Sequence, residues 1–453
     1  MHDVPLSITL LFAGLLVAMI LCLALEEKIH AKKSVIAGGF AAITLFLAVA
    51  LGLIHPETVE ILGHPIRLPL YIPGVDWEVI AIILGSSIFV DVTSKSGLFT
   101  WIAIKLTKAS KGDPLVLLCL YGVMTVVFSA VLNNVTAMII VGTLSGVSLA
   151  RLGQSQRLLG FLLVEGLLTN VGGLLTLVSS VPNIIVGNAA GISFLDFFLA
   201  SSPYVLLATV LTLWLGAKFF GVERLRTAEQ KAEAQRLVAG FDENDGIESQ
   251  GFFWFGALMT ALFIATIASA SVLPVINELG LGYVALAFAA VALLRFKATA
   301  DRFYQGIDWD LLAFFGCLFI VINMMEHALV LELIGKGLAP ILELGELAGP
   351  GSLLVAAAAA SSVTDNIPLA AMLAKILGGM GLAPDSPYWW SVVFGANLGG
   401  NLTPIGSAST LVAVTIIHKN KLPLGFASFV KLAIPFAAAQ LILAVAYVLL
   451  VLR

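Results

Sequence analysis

Four polar breaks interrupt the apolar runs of this 453-residue chain, and their residue types could bind a small polar ligand. Two are short and rich in asparagine, VLNNVTAM from Val131 and VTDNIPLAAM from Val363. The other two, NVGGLLTLVSSVPN and NLGGNLTPIGSAST, combine paired glycines with hydroxyl and amide side chains. Asn, Ser and Thr offer neutral donors and acceptors, and paired glycines let a helix unwind so that its backbone can approach a ligand. The breaks therefore predict a binding site built from amides, hydroxyls and backbone groups.

The candidate ligand-binding residues are the polar side chains of these breaks. They are Asn133, Asn134, Thr136, Asn170, Ser179, Ser180, Asn183, Asn366, Asn397, Thr403, Ser407 and Thr410. Small polar residues also pack membrane helices closely, but their recurrence at matched positions favours a site. Asp365 and Glu165 are the candidates for coupling a proton or another ion, because acids inside a membrane are costly and usually functional. For Glu165, a contact with another helix is an equally good interpretation.

The composition defines the class of protein and excludes several functions. Hydrophobic residues make up 59% of the chain and charged residues only 11%, whereas soluble domains carry about 25% charged residues. We therefore expect a polytopic membrane protein. No basic patch with interleaved aromatics points to nucleic acid, and the three cysteines lie in apolar runs without metal or disulfide spacing. We expect no enzymatic activity, no cofactor and no bound metal.

Apolar stretches of about 20 residues, the length that crosses a bilayer, recur along the chain. The predicted spans are 6–25, 35–54, 77–103, 158–187, 200–217, 251–272, 281–295, 309–330, 388–417 and 425–451. Lys and Arg collect at cytoplasmic ends, which places the charged stretch 218–250 in the cytoplasm. The run 115–150 has positive charge at both ends, so charge fits either two full spans or a re-entrant hairpin. Its double Asn favours the hairpin, because irregular backbone at membrane depth needs protein or water around it.

The chain contains an internal repeat. DWEVIAIILGSSIFV from Asp76 matches DWDLLAFFGCLFIVI from Asp308 at an offset of 232, which also carries Asn134 onto Asn366. The two glycine-rich breaks match at an offset of 227. We expect two repeats, 1–217 and 251–453, joined by a linker at 218–250. Each has about five transmembrane helices and one re-entrant hairpin, and this odd number of crossings inverts the second repeat. Inverted repeats with interrupted helices are typical of secondary transporters.

The chain resembles the ArsB/NhaD permeases of the ion transporter superfamily. That group includes arsenite/antimonite permeases, NhaD-type sodium–proton antiporters and the melanosomal P protein. The resemblance covers nearly the whole chain and is clearest at SGLFTWIAIKLTKASKGDP, SAVLNNVTAMII, SVPNIIVGNAAGISFLDFF, VTDNIPLAAM and NLGGNLTPIGSASTLV. It implies an all-α fold like that of dicarboxylate transporters, with a scaffold and a moving subdomain. In that fold two hairpin tips and two helix breaks surround the substrate, which places the candidate residues there.

Two departures from the family pattern bear on the substrate. Asn133–Asn134 stands where many relatives carry Asp–Asn, and residues 179–183 stand where many carry Gly–Asp–Pro–Pro–Asn. The first repeat therefore lacks two acids that could bind a cation. A neutral, hydroxyl-rich site suits arsenious acid, so the resemblance favours export of arsenite or antimonite in exchange for protons, by alternating access at the bacterial plasma membrane. Asp365 would be the coupling acid.

Three alternatives stay open at this point. The first is sodium–proton antiport through Asp365 and backbone carbonyls. The second is an anion carrier, which the absence of arginine from the predicted site disfavours. The third is a passive channel or a membrane subunit that works with a soluble ATPase, since the chain has no GxxxxGK[ST] pattern of its own. Expected partners are thus a small inorganic substrate with protons or sodium, the lipid bilayer, this ATPase and a second copy of the chain in a homodimer, but not nucleic acid.

Overall fold

A computed structural model describes residues 4–452 except residue 57, residues 62–63, Asp365 and Ile405. Within these ranges ten helices are long and apolar enough to cross a membrane. Two four-residue strands are the remaining regular structure beside the helices of the described part. The chain is therefore an all-helical, multi-pass membrane protein, as its composition predicts.

The first repeat contains ten helices and, between α3 and α4, a short β-hairpin. Its elements are α1 (Leu6–Ala24), α2 (Glu26–Ile29), α3 (Lys33–Ala50), β1 (Thr58–Ile61), β2 (His64–Arg67), α4 (Trp77–Ser94), α5 (Leu98–Ala109), α6 (Pro114–Val131), α7 (Asn134–Arg151), α8 (Leu158–Gly172), α9 (Val181–Ala190) and α10 (Phe194–Phe219). The antiparallel strands β1 and β2 pair Thr58 with Arg67. Short 3-10 turns precede α8 at Ser155–Arg157 and α9 at Leu177–Ser179.

The linker and the second repeat complete the chain. Their helices are α11 (Ala228–Ala239), α12 (Gln250–Ala268), α13 (Pro274–Leu294), α14 (Asp301–Gly306), α15 (Trp309–His327), α16 (Val330–Leu342), α17 (Gly345–Ser361), α18 (Asn366–Gly379), α19 (Pro387–Gly399), α20 (Ala408–Lys419) and α21 (Phe426–Leu450). Residues 220–249 separate α10 from α12, close to the expected linker 218–250.

Helices α1, α3 and α4 of the first repeat pack against α12, α13 and α15 of the second repeat, and together they form a scaffold. Glu78 in the first turn of α4 accepts from the N–H of Leu281 at 3.0 Å, just after the non-helical Gly280 of α13. Asp310, at the same offset of 232 in α15, accepts from the hydroxyl of Ser34 at 2.5 Å, at the start of α3. Asp310 thus caps the start of α3, and Glu78 caps the part of α13 that begins after Gly280, which stabilises both.

The linker lies against one face of the molecule, which we call the linker face. Both ends of the hairpin α6–α7 lie there, since Asp113 accepts from the N–H of Leu225 at 3.0 Å and Arg151 donates to the Gly240 carbonyl at 3.0 Å. Its tip does not reach the opposite face. Ser129 donates to the Thr169 carbonyl at 2.7 Å, beside the break between α8 and α9. From there α9 continues for ten residues, about 15 Å, so the hairpin is re-entrant.

The hairpin α17–α18 enters from the opposite face. Near its base, Tyr388 at the start of α19 donates to the Leu342 carbonyl at 3.0 Å. At its tip, Thr403 in the break between α19 and α20 donates to the Ser362 carbonyl at 2.6 Å. Gly399 lets α17 approach closely, because a Cβ there would lie 2.4 Å from the Ala358 carbonyl oxygen. The two hairpins therefore meet two broken helices from opposite sides, as an inverted repeat requires.

Two of the predicted spans are shorter than expected. The span 77–103 ends at Ser94, and the separate helix α5 follows it. The span 309–330 ends at His327, and α16 follows at the matching offset of 232. Both extra helices connect the scaffold to a hairpin, and their 12 and 13 residues are fewer than a bilayer needs.

Glu243 fixes the linker to α5, and we predict that Glu243→Gln loosens it. Lys105 lies 2.9 Å from one carboxylate oxygen, and Lys108 donates to the other. Hydrogen bonds from Lys108 and Lys105 lower the pKa of Glu243 from 4.5 to about 2. The docked linker therefore gains stability above pH 4.5 that is lost as the pH falls towards 2.

Amide hydrogen exchange of residues 240–247 measures this docking. We expect exchange a few-fold faster in Glu243→Gln at neutral pH, as suits an exposed ion-pair cluster, and unchanged exchange in the exposed control Glu248→Gln. Equal exchange in Glu243→Gln and the unmodified chain would show that the cluster does not hold the linker.

Candidate substrate site

Four helices begin in one central layer, since Ser180 before α9 bonds Asn397, Ser407 before α20 bonds Asn170, Asn134 of α7 lies against Gly173, and Ser362 before α18 accepts from Thr403. They are α7 and α18, which leave the two hairpin tips, and α9 and α20, which leave the two breaks. Asn133 caps α7 by accepting from the N–H of Thr136 at 2.7 Å, and Ser407 caps α20 by accepting from that of Thr410 at 3.2 Å. No side chain caps the described first turn of α9. Because a helix start carries partial positive charge, this layer favours a ligand with negatively charged oxygens.

Asn170, at the end of α8, joins the first break to the second. Its Nδ2 donates to Asn401 at 2.8 Å, to Ser407 at 2.9 Å and to Thr410 at 3.3 Å. Its Oδ1 accepts from Ser409 at 3.2 Å. Asn170 is 1% exposed, so it holds the two broken helices together rather than facing an open cavity.

Asn397 repeats this arrangement from the other side. It lies 227 residues after Asn170, and its Nδ2 donates to Asn183 at 2.9 Å while its Oδ1 accepts from Ser180 at 2.7 Å. Ser180 and Asn183 precede Ser407 and Thr410 by the same 227 residues. The two breaks are thus linked by a pseudo-symmetric pair of amide–hydroxyl contacts, which we call the break network.

A series of side-chain hydrogen bonds continues from the break network to α21 and α10. Asn401 donates to Gln440 of α21 at 2.7 Å, and Gln440 donates to Thr212 of α10 at 2.9 Å. All three side chains are fully buried. The equivalent positions in the first repeat are Leu174 and Leu213, so that repeat has no matching hydrogen bonds. Because the Nδ2 of Asn401 donates to Gln440, its Oδ1 is the atom that faces Asn170.

Backbone carbonyl groups in the same layer already accept hydrogen bonds from side chains. Ser129 donates to the Thr169 carbonyl, Thr176 to that of Ala130 and Ser361 to that of Ala396, each at 2.6 to 2.7 Å. The Gly173 carbonyl accepts from Ser179 at 2.7 Å and from Asn183 at 2.6 Å. A cation would compete with these donors, whereas an oxygen-rich anion would be attracted by the partial positive charge at the helix starts.

The predicted binding residues fall into two groups. The buried group is paired within the protein and consists of Asn170, Ser179, Ser180, Asn183, Asn397 and Thr410. The accessible group lies at the tips and the second break and consists of Asn133, Asn134, Thr136, Asn366, Thr403 and Ser407. Neither the tips nor the breaks contain Lys or Arg. Ser407 also belongs to the break network, so the other five residues of the accessible group are those that a ligand could contact without breaking the network.

The structure describes one of the two predicted coupling acids, and the coupling role of both stays a prediction. Asp365 lies outside the described residues, so its coupling role stays a prediction. Glu165 is buried in α8 between the break and the linker face, and Ser145 of α7 donates to its Oε1 at 2.5 Å. Its Oε2 has no hydrogen-bond partner among the described residues. Glu165 thus lies outside the central layer and does not touch the break network.

Sequence reasoning missed Asn401, Gln440 and Thr212. Gln440 is the one amide of the 25-residue apolar helix α21, and a lone polar residue inside a span is a signal for an interhelical contact. Asn401 lies within the glycine-rich motif itself. Its partner Asn170 lies on α8 of the first repeat, and no local sequence pattern indicates this pairing.

Sequence comparison connects this arrangement to membrane transporters. The profile of the CitMHS family, described as citrate transporter, matches residues 20–395. An uncharacterized transporter of Mycobacterium tuberculosis is 30% identical over 383 residues, which cover 83% of this chain and 86% of that protein. The P protein of Homo sapiens is 23% identical over 508 residues, 94% of this chain and 60% of the P protein.

Two solved transporter structures are similar in fold. The YdaH transporter of Alcanivorax borkumensis, described as having an unusual topology, has a TM-score of 0.60 and 14% identity, covering 92% of this chain and 98% of YdaH. MtrF of Neisseria gonorrhoeae has a TM-score of 0.57 and 13% identity, covering 93% of this chain and 95% of MtrF. At this identity the likeness concerns the fold alone. Together with the ten candidate spans, the relatives identify a multi-pass membrane transporter, consistent with a bacterial plasma membrane.

Proposed function

The chain belongs to the CitMHS citrate transporter family, and on this premise we propose that it carries citrate or a similar small polycarboxylate across the membrane. The carboxylates bind between the two hairpin tips and the two breaks, and alternating access exposes this site to each side in turn. The observation that carries the proposal is the convergence of the starts of α7, α9, α18 and α20 in one layer. The accessible amides and hydroxyls of that layer supply further hydrogen bonds.

A polycarboxylate suits the neutral lining despite the absence of arginine. Anions bind at helix N-termini through backbone N–H groups and the helix dipole, without a formal positive charge. Transporters with broken helices use such half-helix starts for anionic substrate groups. A cation that travels with the substrate, or the proton of an acid such as Asp365, would balance the remaining negative charge.

Export of arsenite or antimonite is the narrower expectation from the sequence, and it stays a prediction. The neutral side chains at Asn133 and Ser180 also suit an uncharged oxygen ligand. The dipoles at four helix starts favour an anion over arsenious acid, because a neutral molecule gains little from them. For sodium as the main substrate, the occupied carbonyls of Ala130, Thr169 and Gly173 are unfavourable.

Transport by the purified chain in lipid vesicles tests the proposal. We expect labelled citrate to enter wild-type vesicles and to exchange with unlabelled citrate, while labelled arsenite and sodium enter no faster than into empty vesicles. Transport of arsenite without citrate would replace the proposal by metalloid transport, and transport of sodium alone would replace it by cation exchange.

A further inference from the structure

Asn134, at the start of α7, has a side chain that the first break holds in place. Its carboxamide lies against Gly173, since a Cβ there would lie 2.8 Å from one of its two polar atoms and 2.9 Å from the other. One of these polar atoms is 2.6 Å from the Ser129 hydroxyl oxygen. The other has no hydrogen-bond partner in the described part of the chain and is not buried. One polar atom of Asn134 is therefore fixed, and the other is open to a ligand.

The Ser129 hydroxyl decides which atom of Asn134 is open. It lies 2.7 Å from the Thr169 carbonyl oxygen, which can only accept a hydrogen bond. A hydroxyl has one hydrogen, so Ser129 cannot donate both to Thr169 and to an oxygen of Asn134. Both short contacts are satisfied when Ser129 donates to Thr169 and accepts from the amide nitrogen of Asn134. Such partners distinguish the nitrogen of a carboxamide from its oxygen, so the open atom is the oxygen, Oδ1.

The second repeat supports this direction of hydrogen bonding. Ser361, 232 residues after Ser129, donates to the Ala396 carbonyl at 2.6 Å, and Ala396 lies 227 residues after Thr169. Ser361 has no hydrogen bond to the tip residue Asn366 among the described residues. The bond from serine to carbonyl is thus present in both repeats, whereas the contact with a tip amide is present in one. The carbonyl is therefore the constant acceptor, and Asn134 is an added donor.

The open oxygen places a requirement on the ligand. Helix starts in this layer attract carboxylate groups, but an amide oxygen repels them and needs an O–H or N–H group opposite it. Citrate carries one such group beside its carboxylates, the hydroxyl on its central carbon. We propose that Asn134 accepts a hydrogen bond from this hydroxyl, with Ser129 as the positioning residue, so that the carrier selects hydroxy acids over polycarboxylates without a hydroxyl. This selectivity rests on the proposed transport function, to which it adds the class of substrate.

Competition between citrate and tricarballylate, the same tricarboxylate without the hydroxyl, tests this selectivity. Vesicles with the unmodified chain take up labelled citrate at about pH 8, where carboxyl groups are ionised and the citrate hydroxyl is the remaining donor. To halve this uptake, unlabelled tricarballylate should be needed at a concentration at least about tenfold higher than unlabelled citrate, because it leaves Oδ1 without a partner. Equal concentrations would overturn the inference, whereas absence of citrate uptake would reject the transport function instead.

Two serine variants form a matched pair. Ser129→Ala removes the group that turns Asn134, so the ratio of the two halving concentrations should fall to within about threefold. Ser361→Ala removes the equivalent bond from serine to carbonyl at the second tip and should keep the ratio of the unmodified chain. Both changes loosen a tip and should slow uptake, which leaves the ratio as the specific readout. An unchanged ratio in Ser129→Ala, or an equal fall in Ser361→Ala, would overturn the role of Ser129.

Asn134→Leu tests the acceptor itself. Leucine is similar in size but has no oxygen, so this variant should lose the preference for citrate over tricarballylate. If it takes up too little citrate, the same ratio follows from the concentrations of the two acids that raise its unfolding temperature in detergent equally. A preference for citrate as strong as that of the unmodified chain would show that Asn134 does not receive the hydroxyl.

Discussion

Gly399→Ala is expected to reduce citrate transport to the level of empty vesicles. An added Cβ would lie 2.4 Å from the Ala358 carbonyl oxygen and 2.7 Å from Cβ of Ser361, on the helix that leads to the second hairpin tip. Because these contacts are mostly backbone, α17 must move away, and overpacking of this kind costs about 1–3 kcal/mol. The tip would then no longer meet the break, where Thr403 donates to Ser362.

Initial rates of citrate entry and the unfolding temperature in detergent measure this effect. Gly172, 227 residues earlier, has the same role towards α6, since a Cβ there would lie 2.7 Å from backbone atoms of Val126. Gly172→Ala should therefore give a similar loss. The control is Gly316→Ala in α15, where a Cβ meets nothing within 4 Å. Wild-type transport by Gly399→Ala would show that close approach of α17 is not required.

Asn170→Leu is expected to produce the second large effect, a loss of both stability and transport. The change removes Nδ2, whose two hydrogens are shared among Asn401, Ser407 and Thr410. Ser407 and Thr410 keep a bond to each other, but the buried Oδ1 of Asn401 loses its donor, which costs about 1–3 kcal/mol. Thermal unfolding should show a marked drop, and citrate exchange should fall with it because the two broken helices lose their alignment.

Two further variants make this prediction specific. Asn397→Leu, the pseudo-symmetric change, should behave in the same way, since it removes the contacts with Ser180 and Asn183. Asn420→Leu is the control, because that amide is exposed at the end of α20 and bonds only within its own helix among the described residues. If Asn170→Leu unfolds and transports like Asn420→Leu, the break network does not hold the site together.

The arrangement of helices was largely predictable because membrane spans leave a strong signal. Long apolar runs, charged ends and the offset of 232 residues predict the spans, the inverted repeat and both hairpins. Helix α5 was not separated from the predicted span 77–103, because an apolar run continues into it, and α16, which begins where the predicted span 309–330 ends, was not predicted. The strands β1 and β2 were missed because residues 55–74, with four prolines, are typical of a polar loop.

The sequence predicts the residue types of the candidate site but not how these residues pair. The recurring Asn, Ser and Thr positions mark the tips and breaks, and these do lie in one layer. Which of them remain accessible depends on contacts between residues more than 200 positions apart, such as Asn170 with Ser407. The substrate also depends on helix direction, because four starts in one layer favour an anion although the side chains alone suit a neutral ligand.

Protection of the second hairpin tip by citrate tests the central claim most directly. Ser362→Cys, in a chain whose Cys22, Cys119 and Cys317 are replaced by serine, places a thiol beside the break with little change in size. A maleimide reagent should label this thiol readily, and citrate should slow the labelling in proportion to its occupancy, whereas arsenite should not. Labelling at the same rate with and without saturating citrate, by a chain that still folds, would contradict carboxylate binding between the tips and the breaks.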